Sequence, residues 1–243
     1  MPHTPMNKIW LTLTAALLSI TLFSQELQFE YQTGIGHFKM TELKTFLKSH
    51  TGLLPFDPVL TDDFPRYFFH HPSILVSWNR FEAGLTWTHT STGARYSLQD
   101  YSGEYLLESR LKANGPGLLF NLCLNPKNRI GVLIGNRIGW LATRMTLIET
   151  LYLNELKKVD EEFIFRSGDV IWEPGIKVTC PISVFQLHLY SGYSFMLQGK
   201  GFHTEQDGEK IPLNFRGEPV HAGWSGLRWG GGVAVSFSRL NHL

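Results

Sequence analysis

After residue 24 the chain has no uncharged apolar run approaching the roughly eighteen residues that a membrane-spanning helix needs, which excludes a helical membrane protein. Net charge is nearly absent: 22 Lys and Arg oppose 21 Asp and Glu. No basic stripe is visible, so no nucleic-acid partner is expected. Cysteine is scarce, with only Cys123 and Cys180. Alternation places Cys123 beside Asn121 on one kind of face and Cys180 beside Ile176 and Val178 on the other, so two free thiols are expected. No Gly-rich nucleotide fingerprint, Cys-x-x-Cys pair or His-Glu-x-x-His helix occurs, and no cofactor or metal is expected. Gly230-Gly231-Gly232 lacks the Lys and following helix of a phosphate loop. With 43% hydrophobic residues the chain is not disordered.

Lys8 followed by the uncharged run Ile9 to Phe23, with Ser24-Gln25 behind it, has the layout of a secretory signal peptide. The expected organisation is a signal peptide over 1–24, cleaved on export, and one domain over 25–243.

The rest of the chain is dominated by two-residue alternation. In Arg228 to Arg239, Trp229, Val233, Val235 and Phe237 share one face, while Arg228, Gly230, Gly232, Ala234, Ser236 and Ser238 share the other. Leu27 to Ile35 and Phe185 to Leu197 alternate as cleanly. Further strands are expected at Ser73 to Trp78, Phe81 to Trp87, Glu104 to Leu124, Arg129 to about Leu147, with a bulge after Leu141, and Asp169 to Thr179. Short helices suit Thr41 to Ser49 and Leu151 to Lys158. Three connections are tight: Asn79-Arg80, Leu124 to Asn128, and Pro181 to Ser183. Four are long: 39–71, 92–103, 149–167 and 199–222.

Strict alternation of tight and long connections between eight strands predicts an all-β fold. The expected form is an eight-stranded antiparallel up-and-down transmembrane β-barrel with short periplasmic turns, long extracellular loops and one short helix in the first loop. Its apolar faces would meet lipid. Its inner faces would carry Glu30, Glu82, Glu108 and Arg110, together with Arg137, Lys177, His188 and Arg228. Eight strands leave room only for side chains, so these charges should pair and plug the lumen. Arg228 on the closing strand is expected to meet an acid such as Glu30 on the first.

The signal peptide, the eight strands, Thr92-Gly93 and Asp100-Tyr101-Ser102-Gly103-Glu104 resemble the small outer-membrane barrels of Gram-negative bacteria, of OmpA/OmpX-type architecture, and those of the Bacteroidetes in particular. The resemblance implies an outer-membrane location. The chain departs from it at the end: such barrels often close on an aromatic residue, whereas Phe237 is followed by SRLNHL.

Three functions are in view. The first is a non-enzymatic barrel, monomeric and in contact with outer-membrane lipid. It would have a structural role or bind an extracellular ligand or protein through loops 39–71 and 199–222. The second is a lipid A-modifying hydrolase. His89-Thr-Ser91 faces outward near the rim, where a His could activate a Ser, and His-x-Ser on a barrel exterior resembles the lipid A deacylases. Thr92 stands where that family usually has Asn, and the acid would fall to Glu104 or Glu108. In the leading reading the pair is interfacial and no residue is catalytic. The third is a soluble periplasmic lipocalin-like barrel, which would turn its apolar faces inward. His70-His71 has no carboxylate or Cys at ligand spacing, and its aromatic neighbours suit an interface belt.

Overall fold

The computed structural model describes residues 26–101, 103–126, 129–153, 156–206 and 209–237. The expected signal peptide, 1–24, lies outside them. The described chain is all-β with a single helix. Its elements are β1 (Glu26–Phe38), α1 (Thr41–Thr51), β2 (Val59–Asp63), β3 (Tyr67–Trp78), β4 (Phe81–Asp100), β5 (Gly103–Cys123) and β6 (Gly131–Leu153). They continue with β7 (Leu156–Ile182), β8 (Phe185–Gln206), β9 (Glu209–Pro212), β10 (Asn214–Phe215), β11 (Glu218–Pro219) and β12 (Gly226–Ser236).

The main sheet runs β12-β1-β3-β4-β5-β6-β7-β8, antiparallel throughout, and β8 pairs in turn with β12. Eight strands therefore form a ring with both edges of each strand hydrogen-bonded. The expected neighbours at the seam are the observed ones: β1 and β12 pair from Gln28↔Ser236 to Phe38↔Gly226. The expected tight connections lie at one end of the ring, here called lower. Asn79 and Ser183 adopt left-handed backbone there, with φ of 54° and 57°.

The upper end differs from expectation. Segments 92–103 and 149–167 are not loops. β4 and β5 stay paired up to Asp100↔Gly103, and β6 and β7 up to Leu153↔Leu156. The helix expected over Leu151 to Lys158 is part of that second hairpin. Much of 199–222 is also strand, because β8 runs on to pair with β9. Segment 39–71 holds α1, β2 and the start of β3, and β2 pairs with the upper part of β4.

One pattern accounts for these differences. In the lower half of each long strand the outward residues are apolar; in the upper half the inward ones are. On β5, Leu118, Phe120 and Leu122 point out and are exposed, yet further up the buried residues are Tyr105, Leu107, Leu111 and Ala113. On β6, exposed Ile134, Ile138 and Trp140 give way to buried Leu141, Met145 and Leu147. Along these stretches the alternation does not break and the apolar character changes sides, whereas β8 shifts register against β7 twice, between Arg166 and Gly168 and between Val170 and Ile171. β6 accordingly pairs in continuous register with β7 through Leu141, and the expected bulge there is absent.

The inward apolar residues of the upper half need a partner, and α1 is one. Leu43 and Leu47, one helical turn apart, are buried in a cluster with Leu111, Met145, Phe202 and Trp224. Glu42 in the first turn and Lys48 and His50 in the last suit the helix dipole. The upper ring is thus filled by a hydrophobic core. Leu111→Ala should destabilise the fold by about 2–5 kcal/mol in chemical unfolding, while exposed Glu104→Ala should stay within about 0.5 kcal/mol. Equal effects would contradict a packed upper core.

Candidate functional site

Below the apolar core, the inward face is charged. Glu173 on β7 accepts hydrogen bonds from two guanidiniums: Arg137 Nη1 at 2.8 Å and Arg228 Nη1 at 2.6 Å. Tyr190 Oη donates to the same carboxylate at 2.7 Å. Arg137 also reaches Gln32 Oε1 at 3.3 Å, and His71 Nε2 lies at the same distance. Nearer the lower end, Lys177 Nζ donates to Glu30 at 2.9 Å and to Glu82 at 3.0 Å, and Asn121 donates to Glu82 at 2.8 Å. All six charged groups are buried.

Three carboxylates thus face three cations within one enclosed volume, which makes the set formally neutral. Strand alternation aims these side chains inward, and β7 supplies Glu173 and Lys177 from one face. Small residues make the space: Gly175 and Gly192 stand opposite each other, and a Cβ on either would collide with the Tyr190 ring. The space left among Glu30, Arg137, Glu173 and Lys177 is about 10 Å³, enough for about one water.

The structure rearranges the expected network. Arg228 pairs with Glu173, and Glu30 is taken by Lys177, so the expected Arg228–Glu30 pair does not form. Glu173 escaped the sequence reading although it lies in phase with Lys177. Glu108 and Arg110 are not inward at all. They lie on the outer face of upper β5, where Glu108 bonds Arg110 at 2.6 Å and Arg95 at 3.2 Å. Those two guanidiniums, Arg110 foremost, hold the Glu108 carboxyl below its usual range. The alternation through Asn114-Gly115-Pro116-Gly117 is unbroken, so Glu108 and Arg110 share the parity of Leu118 and Phe120. His188 is inward as expected, with Nδ1 3.9 Å from Glu30 and no hydrogen-bond partner for either ring nitrogen among the described residues. Cys123 and Cys180 are free thiols, as expected.

His89 and Ser91 face outward as expected, but the structure does not join them. His89 Nδ1 bonds Asn114 Oδ1, and its ring lies 6.0 Å from that of His70. Among the described residues Ser91 makes no hydrogen bond to His89. Neither expected acid completes a triad: Glu104 pairs with Tyr152 near the top of the β5–β6 ladder, and Glu108 is held by arginines. His70 and His71 point to opposite faces. His70 Nδ1 meets Tyr31 Oη at 2.7 Å outside, whereas His71 stacks on Phe69 inside. Among the described residues no group of three His, Cys, Asp or Glu could hold a metal.

At the foot of the upper core Asp169 accepts long hydrogen bonds from Thr143 and Ser167, both 3.4 Å, and Thr143 is held by Trp224 Nε1 at 2.8 Å. Its Oδ1 has no hydrogen-bond partner among the described residues, and burial pushes the carboxyl up to about 6.

No protein-family model matches the chain, and no curated protein matches it.

Two expectations follow. Glu173→Gln leaves Arg137 and Arg228 without their shared charge and should cost about 3–5 kcal/mol of unfolding free energy. An unchanged unfolding midpoint would show that the network is not coupled to the fold. The raised Asp169 value means the folded chain holds its proton more tightly than the unfolded chain. The Asp169 contribution is therefore fullest below the usual aspartate range and is lost as pH rises through about 6. Asp169→Asn should flatten this fall, so its stability advantage over wild type should grow from pH 4 to pH 7.

Proposed function

We propose that the eight-stranded ring is a transmembrane β-barrel of an outer membrane. Its lower half would lie in the bilayer, and α1 and the long hairpins would stand outside the cell. The carrying observation is the distribution of charge between the two faces of the lower strands. From Trp78 and Phe81 at the lower rim to Trp87, Trp140, Trp172 and Trp229 at the upper rim, the outward positions hold no Asp, Glu, Lys or Arg. Leu85, Ile134, Ile176 and Leu189 lie between and are exposed. The inward positions of the same strands hold the buried ion pairs. A protein folding in water alone would place these sets the other way round. The outward spans, such as Ile130 to Trp140 and Trp172 to Ile182, match the roughly 9–11 residues that cross a bilayer as a tilted strand. Tryptophans at both rims suit the interface belts of such proteins.

Within this reading the protein is non-enzymatic. Paired charges close the lower interior and the core around α1 closes the upper, so it is no aqueous pore. Its working surface is the rigid upper end, where the β4–β5, β6–β7 and β8–β9 hairpins and the segment around α1 would bind an extracellular ligand or protein. That His89 bonds Asn114 rather than Ser91 favours this reading over hydrolysis.

The test is direct. The full chain should fractionate with outer membranes and migrate faster on a gel before boiling than after; recovery in the soluble periplasm would sink the proposal. Ile134→Arg should cost about 2–4 kcal/mol of folding free energy in lipid bilayers, as expected for a cation near the midplane.

A further inference from the structure

The outward face immediately above the tryptophans is not uniform around the ring. On one side, four adjacent strands present cations in one cross-strand row. Lys112 on β5 stands opposite Arg144 on β6, and Arg144 opposite Arg166 on β7. On β8, His203 stands opposite Arg166, and Lys200 opposite Gly168 just below. Lys112, Arg144, Arg166 and Lys200 are all exposed. The Trp140 indole lies over Gly168, one outward position below Arg166, so the cations begin where the aromatic belt ends.

Like charges directly opposite on neighbouring strands repel and weaken a sheet. Elsewhere on this face the repulsion is relieved within the protein: Arg95 and Arg110 share Glu108. Here it is not. Among the described residues no carboxylate pairs with any of the four, and no Asp or Glu occupies the next outward position above or below them on their strands. The row ends at β5: on the next strands, β4 and β3, Ser91 stands opposite Lys112, and His89 and His70 follow above the apolar face. The row crosses three interstrand gaps of about 4.8 Å each, so it can engage more than one anionic group at once.

We propose that this row is a binding site for the phosphate-bearing headgroup of a glycolipid in the outer leaflet, whose acyl chains would lie on the apolar face below. Guanidinium and ammonium groups donate charge-assisted hydrogen bonds to phosphate oxygens, and arginine does so bidentately. The inference rests on the transmembrane reading, because only a bilayer would bring lipid headgroups to this height. A soluble anion would have no reason to favour positions continuous with an apolar wall.

The experiment uses the folded full chain in detergent and native mass spectrometry, with bisphosphorylated lipid A and its dephosphorylated form as probes. Wild type should retain the bisphosphorylated form at least about tenfold more tightly than the dephosphorylated one. The exposed-site variant K112Q/R144Q/R166Q/K200Q should lose that preference while keeping heat-modifiable migration and bilayer insertion. R144K/R166K should keep most of it. Arg144→Glu alone should weaken retention by about tenfold. Equal retention by wild type and the quadruple variant, with both inserted in bilayers, overturns the headgroup site and leaves the transmembrane reading standing. Failure of wild type to insert overturns both.

Discussion

Everything in this fold answers to one constraint: the two faces of each long strand exchange apolar character partway along its length. The backbone offers little freedom in the matter, since successive side chains of a strand point to opposite sides except at irregularities such as the two register shifts between β7 and β8. A strand whose outer face turns from apolar to polar must therefore change its side-chain chemistry and keep its phase. The long strands do this at the level of Trp87, Trp140 and Trp172. Below that level the outward residues are leucine, isoleucine and phenylalanine and the interior is charged. Above it the outward residues are arginine, lysine and glutamate and the interior is a hydrophobic core.

The two interiors impose different demands. The lower one must hold charge without water. It does so by balance: one carboxylate between two arginines, one lysine between two carboxylates, and tyrosine, asparagine and glutamine filling remaining bonds. Removing any one member strands a charge in a volume with almost no room for solvent. The upper interior must cover apolar side chains that the ring alone leaves open at its mouth. Helix α1 and the segment through Trp224 supply that cover, and Trp224 anchors itself on Thr143 beside the buried Asp169 carboxyl.

Much of this could be read from the residues. The strands at both ends of the chain, their pairing, the tight turns at Asn79-Arg80 and around Ser183, and the helix after β1 all carry local signals in residue type and period. The inward Arg137, Lys177, His188 and Arg228 follow from parity alone. What misled was the assumption that one face stays apolar along a whole strand. It made the polar outward positions around Arg95 look like a loop, turned the loss of pattern after Leu141 into a bulge, and set Glu108 and Arg110 on the wrong side. Glu173 was within reach, four residues before Lys177 on the same face.

The sequence by itself determined the period, the parity and the residue inventory of each strand, because alternation is a local property of extended backbone. It also determined that charges of both signs would share one face. Only the tertiary structure decided which charges meet. Arg228 stands opposite Gly36 on the adjacent strand, too far along β1 to meet Glu30, and instead reaches Glu173 two strands away, while Lys177 bridges Glu30 and Glu82 from β7. Contacts across a closed ring depend on its diameter and on the tilt of its strands, quantities that no single stretch of sequence contains. The registers of the β5–β6 and β6–β7 ladders likewise place Lys112, Arg144 and Arg166 in one row, although their positions along the chain show no common spacing.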